Sequence, residues 1–427
     1  MRTFSRSNSA TSRSPAAKSA GLFLALFCLL YGPRLIWVDV MTAFTAILAA
    51  VAVVSYIKNG VAKINLAIVW SLITLIFLSS MHYAFTGYAE TTLLEIFSKL
   101  LLYYISASFL FERYRTKFLG DTSVIVKHVL LATVINGIFV IAVYFLPVSI
   151  KEQLRGIFDY SQQEMWLLGN RRMFDLSLGG GATASFTFAL VFYMAFALPK
   201  NSRPNAFFTL VTIVAVAAAL MGRTGLYFIM VIVGFVFLSR SSKVSAGSVL
   251  SLLAIFSAVS WILFLNWQEF LHSEYYAWAT EDFYGASGTR LALGEMWFMP
   301  SDHVLFGDGY FGRIFPHIIY SDVGYVRALH AVGVVGATLM YGWLIYLAFI
   351  SRGTLRLSGG PDQRNVFYAI ILMLLVMNMK ELHFASRGTS VLLFIAFCWS
   401  RDGVSSRFGK GGASASVPFP EARGRKF

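Results

Sequence analysis

Charged residues are scarce in this chain. Only 13% of its 427 residues are Asp, Glu, Lys or Arg, while 57% are hydrophobic. A soluble chain of this length carries roughly 25% charged residues, so an ordinary soluble domain is excluded. Cysteine is nearly missing too. Cys28 and Cys398 lie far apart in apolar stretches, which excludes a disulfide framework and leaves two inert core thiols as the expectation. No HExxH, HxH or clustered Cys/His spacing occurs, so neither a metal site nor a cofactor is expected. The short alternating segments of a transmembrane barrel are missing. So are internal repeats of the transporter kind.

Long apolar runs are what the chain has instead. Runs of about 18 to 22 residues recur almost end to end, the length a bilayer core demands. The spacing predicts an all-α polytopic membrane protein with about twelve transmembrane helices. They fall near 20–36, 38–57, 64–83, 91–111, 123–146, 179–198, 205–221, 225–239, 247–266, 322–350, 365–383 and 388–400. Residues 1–19 and 401–427 read as disordered cytoplasmic tails around one domain, 20–400. The basic, Ser-rich start and the apolar run 22–31 mimic a secretory signal. No small-residue cleavage site follows, so the first helix is expected to stay.

Charge distribution supports this count through the positive-inside rule. With both termini cytoplasmic, the loops and tails on that side hold 23 of the 35 basic residues against five acids. The formal net charge of +14 is thus a topology signal. Basic loops facing anionic lipid account for it without a nucleic-acid partner. The opposite side carries two large loops, 147–178 and 267–321. The first contains KEQLRGIFDYSQQEMWLL, an amphipathic piece expected to lie along the membrane surface. The second is rich in Trp, Tyr and Phe, which suit an interfacial belt or sugar stacking. Six of the seven histidines fall on or near this side: His82, His272, His303, His317, His330 and His383.

Arginines on the outer side run against the positive-inside trend. Gly222-Arg223-Thr224-Gly225 joins two spans with almost no loop. Its guanidinium is placed to bind a diphosphate bidentately or, alternatively, to snorkel as the cap of a helical hairpin. Asn170-Arg171-Arg172-Met173-Phe174-Asp175 precedes the Gly-rich helix start Gly179-Gly180-Gly181, where free N–H groups attract anions. Anchoring to lipid phosphates is the alternative. Glu95 and Lys99 share a helix face within a span; they form a self-satisfied ion pair facing the bundle, or Lys99 reaches an anionic substrate. In the large loop Arg290 and His317 stand out, and at the start of the span that follows it Asp322, Arg327 and His330. A carboxylate or imidazole there can serve as general base toward a sugar hydroxyl, whereas Ser321 and Asp322 can equally be simple N-caps. On a regular helix Asp322 lies about 140° from Arg327 and about 80° from His330, so the three need not converge.

Taken together, Arg172-x-Phe174-Asp175, Gly222-Arg223-Thr224-Gly225, Arg290…Trp297…Pro300…Phe306-Gly307-Asp308-Gly309 and Ser321-Asp322-x-Gly324-Tyr325…Gly333-x-x-Gly336 resemble the O-antigen polymerase and O-antigen ligase superfamily of bacterial inner-membrane proteins. The resemblance covers the middle and C-terminal two thirds. It implies a metal-independent, inverting, GT-C-like membrane glycosyltransferase. Such an enzyme acts at the periplasmic face on an undecaprenyl-diphosphate-linked glycan, with donor and acceptor both lipid-linked. By the resemblance Arg172 and Arg223 face the diphosphate and Arg290 heads the loop helix; from their positions Arg171, Arg327 and Lys99 are further candidate cations for it. The ligase branch carries His-Asn-x-x-Leu where this chain has Ser321-Asp322-Val323-Gly324-Tyr325. That departure favours polymerase over ligase and leaves Asp322, His317 and His330 all open as the base. A chain-length regulator and a flippase are the implied partners. A lipid-linked-sugar transporter is the reading from a different class. Against it, ionisable residues deep within spans are almost limited to Glu95 and Lys99.

Overall fold

In a computed structural model of the chain, residues 15–59, 64–86, 92–155, 157–158, 173–177, 181–198, 203–204, 206–239, 297–298, 303–309, 313–314, 317–318, 323–351, 363–379 and 386–409 are described. They form α1 Pro15–Tyr31, α2 Val40–Asn59, α3 Leu66–Thr86, α4 Thr92–Lys117, α5 Ser123–Phe145, α6 Val148–Arg155, α7 Gly181–Ala197, α8 Phe207–Met221, α9 Arg223–Ser239, α10 Gly324–Ile350, α11 Gln363–Met377 and α12 Arg387–Gly409. A two-residue hairpin, β1 Arg313–Ile314 with β2 His317–Ile318, lies ahead of α10.

Five of these helices are long and apolar enough to cross a membrane: Val40–Lys58, Leu66–Ala84, Thr92–Lys117, Ser123–Phe145 and Gly324–Ile350. Five shorter apolar helices accompany them, among them Gly181–Ala197 and Phe207–Met221. The protein is therefore a helical membrane-embedded one. α2 and α3 turn Ile47, Ile57, Trp70 and Phe77 outward, large apolar side chains on surfaces that suit lipid better than water. The expected span 247–266 lies outside the described residues. Several boundaries differ from the hydropathy reading: the first helix ends at Tyr31 rather than near 36, α4 runs on to Lys117 rather than 111, and α11 ends at Met377 rather than 383. α1 starts at Pro15, a residue suited to the first turn because its missing N–H is unpaired there anyway, and α12 runs on to Gly409.

α7 is the axis of the bundle. Phe186, Phe188, Leu190, Val191 and Phe192 are all buried on it, so the helix is apolar all round because protein surrounds it. α5, α8, α9, α11 and α12 pack on α7. Buried hydroxyls pair across helices, Tyr31 with Thr133 at 2.7 Å and Thr187 with Thr389 at 2.8 Å. Hydroxyls without water must find such partners. α6 takes in only Lys151–Arg155 of the expected amphipathic piece, whose residues 159–168 lie outside the described residues, and its Lys151 is buried. The ammonium donates to the Tyr144 carbonyl at 3.4 Å, and burial pushes its pKa down.

Candidate functional site

Two separate features of the site reading meet at one end of α7. The turn Gly222–Gly225 is clamped by Ser185, whose hydroxyl donates to the Gly222 carbonyl at 2.7 Å and accepts from the Gly225 N–H at 2.6 Å. One side chain thereby satisfies the end of α8 and the start of α9. The glycines are required by proximity. A Cβ on Gly222 would sit 2.7 Å from the Gly181 carbonyl oxygen, and one on Gly225 would sit 2.4 Å from that of Ser185. Arg223 opens α9 at this point.

The stretch 173–177 joins the same place. Met173 N–H donates to the Leu220 carbonyl at 3.2 Å. Asp175 is buried, accepting from Ser177 Oγ at 2.7 Å and Asn136 Nδ2 at 3.4 Å, while Asn136 Oδ1 takes the Leu176 N–H at 3.0 Å. The polar segment that follows Arg172 is thus pinned next to the turn that carries Arg223. Arg171, Arg172, Arg290 and Asp322 lie outside the described residues. For His317 the described backbone is in β2.

A further feature, apart from that end of α7, is a break in α10. Gly333 adopts φ 64° and ψ −173° inside the helix, a conformation essentially reserved for glycine. The break frees two carbonyls and two N–H groups, and the segment 303–309 takes up all four. Asp308 N–H donates to the His330 carbonyl at 2.6 Å and Gly309 N–H to that of Ala331 at 3.0 Å. Val334 and Val335 N–H donate to the carbonyls of Val304 and Leu305 at 2.9 and 3.1 Å. At membrane depth such freed groups must be satisfied by protein. Close approach demands glycine on both sides. A Cβ on Gly307 would lie 2.5 Å from Gly333 N, and one on Gly333 would lie 2.4 Å from the Leu305 carbonyl.

Docking this segment assembles an imidazole–carboxylate cluster. His330 Nδ1 is 3.9 Å from Asp308 Oδ2. Its Nε2 is buried without a hydrogen-bond partner, and the Phe298 ring stands edge-on 5.1 Å away. His82 of α3 faces the Ala331 carbonyl and lies within electrostatic reach of Asp308 and His303. Beside it opens an apolar cavity of about 380 Å³, lined by Leu75, Ser79, His82, Phe97, Phe306 and Val335. At 3.9 Å the carboxylate is beyond hydrogen-bond distance but close enough to favour an imidazolium formed when His330 takes a proton from a hydroxyl, and the cavity is large enough for part of a hydrocarbon chain.

The remaining candidates separate. Lys99 pairs with Glu95 at 3.1 Å, both substantially exposed on α4; the two satisfy each other as expected, but the pair is turned outward instead of facing the bundle. Arg327 is half-buried on α10, one turn ahead of the cluster. His82, His303 and Asp308 enter the sequence reading only as outer-side histidines and as part of the Phe306-Gly307-Asp308-Gly309 motif, with no catalytic role of their own. His82 carried one signal, an imidazole near the end of an otherwise apolar run. Asp308 carried another, the flanking Gly307 and Gly309, both with positive φ here. Cys28 and Cys398 are half-buried thiols outside any disulfide, and Cys398 Sγ lies 3.7 Å from Ser108 Oγ. No protein-family model matches this chain, and no curated protein matches it.

Proposed function

We propose that the protein is a membrane glycosyltransferase that polymerises lipid-diphosphate-linked oligosaccharide repeats into a surface polysaccharide. The substrate is an undecaprenyl-diphosphate-linked glycan at the periplasmic face of a bacterial inner membrane. The observation that carries this reading is the Met173–Leu220 hydrogen bond with the Ser185 clamp. It brings the segment after Arg172 against the turn that begins α9 at Arg223. Fixed cations at one anion site are what a departing diphosphate needs, and they can act without metal.

In the reaction the acceptor sugar hydroxyl attacks the anomeric carbon with inversion. The bond from that carbon to the diphosphate oxygen breaks, and its electron pair leaves on the diphosphate. The hydroxyl proton passes to a base drawn from Asp322, His317 and His330. The described geometry supports His330, whose Nδ1 lies by Asp308. Such a carboxylate steadies an imidazolium as it forms.

Reconstitution tests the reading. Purified protein is mixed with a lipid-diphosphate-linked repeat unit from its own host, with chelator present, and products are resolved on a gel. A glycan ladder that disappears in Arg223→Ala is expected. Glycan appearing only on added lipid A-core would make the protein a ligase. Movement of the lipid between leaflets with no new product would make it a transporter.

A further inference from the structure

α12 begins with an arginine, the unfavourable sign of charge for a helix N-terminus. Asp39 accounts for half of that guanidinium. Its carboxylate pairs with Arg387 Nη2 and is itself held by Thr42, which donates through N–H at 3.2 Å and Oγ1 at 2.9 Å. The other terminal nitrogen, Nη1, is buried and has no hydrogen-bond partner. Two more hydroxyls nearby share that condition. Ser386, immediately before the helix, has a buried Oγ without a partner, although the capping position ordinarily spends its oxygen on the first turn. Tyr103 of α4 is 2% exposed, its hydroxyl is buried and unpartnered, and it lies within electrostatic reach of both Asp39 and Arg387. Three buried donors without acceptors are a standing desolvation cost. An oxyanion would satisfy all three, together with the free N–H groups of the first turn of α12.

The position of this cluster gives it a role. α12 lies on the opposite flank of α7 from the Gly222–Gly225 turn. Ser185 clamps that turn, and two residues on Thr187 hydrogen-bonds Thr389 at 2.8 Å, while a Cβ on Gly388 would lie 3.1 Å from the Thr187 methyl. Polymerisation involves two lipid diphosphates, one that departs and one that stays on the growing or incoming glycan. Resting on the function proposed above, we infer that Arg387, Tyr103 and Ser386 form a second oxyanion site. It holds the diphosphate retained by the acceptor lipid, while the Arg223 turn serves the departing one. Asp39 cancels one charge, so the second site works by directed donors rather than net charge. That suits a ligand released after every round.

The test is binding of radiolabelled inorganic diphosphate to the full-length protein in phosphatidylcholine nanodiscs. The wild type is expected to bind two diphosphates per chain, and Arg387→Gln one. Tyr103→Phe keeps the Asp39–Arg387 pair and so guards against misfolding; it should weaken the second site about tenfold, the worth of one hydrogen bond to a charged group. Unchanged stoichiometry and affinity in both variants would overturn the site. Phosphatidylglycerol in the disc that displaces diphosphate from the Arg387 site alone would overturn the acceptor assignment in favour of a phospholipid headgroup. Because binding needs no turnover, the two readings fail separately. Arg387-dependent binding without any glycan ladder would remove the polymerase and its acceptor assignment but keep the anion site. A ladder with Arg387-independent binding removes the site alone.

Discussion

Replacing Gly333 with alanine should release the segment 303–309 without unravelling α10. Alanine at φ 64° and ψ −173° is in a region that costs about 1–3 kcal/mol to hold. Its Cβ would also press on Leu305 and Phe306 backbone atoms at 2.4 Å. The helix has an easy escape. The carbonyls of His330 and Ala331 and the N–H groups of Val334 and Val335, now bonded to the segment, stand four residues apart in the helical i→i+4 relation. If the break closes they bond to one another, so no helix group is left bare. The segment's own four groups are then free to find solvent or headgroups. Strain therefore decides the balance, and 1–3 kcal/mol corresponds to roughly 5–150-fold in the docked population. Hydrogen–deuterium exchange reads it directly. The Asp308 and Gly309 amides should lose protection by that factor, with little change in α4 or α5. Gly342→Ala, on the same helix with open space around the added carbon, should leave exchange unaltered. Unchanged protection of Asp308 and Gly309 in Gly333→Ala would refute the claim that this glycine sets the break.

Further outcomes follow from the packing. Ser185→Ala strands the Gly222 carbonyl and the Gly225 N–H, at about 1–3 kcal/mol for each buried group. A clear drop in thermal unfolding temperature in detergent is expected, with loss of transfer, and an unchanged temperature would remove the clamp. The Glu95–Lys99 pair is exposed, where ion pairs are worth about 0–1 kcal/mol. Glu95→Gln with Lys99→Met should leave stability and transfer within error, and abolished transfer would return Lys99 to the site.

Much of the architecture was legible in hydropathy because a bilayer enforces long apolar runs, and α2, α3, α4, α5 and α10 stand where those runs placed them. The Gly222–Gly225 turn was legible too, since a near-absent loop between two runs needs small residues. The Glu95–Lys99 pair followed from i→i+4 spacing alone. The hydropathy reading treated 322–350 as one continuous span, because a single glycine in an apolar run does not register on a hydropathy scale.

The sequence by itself determined that the chain is helical and membrane-embedded, since composition and run length act locally, residue by residue. It also marked the residues out of keeping with lipid: the arginines, the histidines and the glycine-flanked Asp308. Only the tertiary structure decided which of these meet. Asp308 reaches His330 because the helix breaks at Gly333, Met173 reaches Leu220 because both lie at one end of α7, and Arg387 reaches Asp39 from the far end of the chain. Each pairing joins groups far apart in sequence, through backbone hydrogen bonds and close packing that have no local signature, and chemistry depends on those distances.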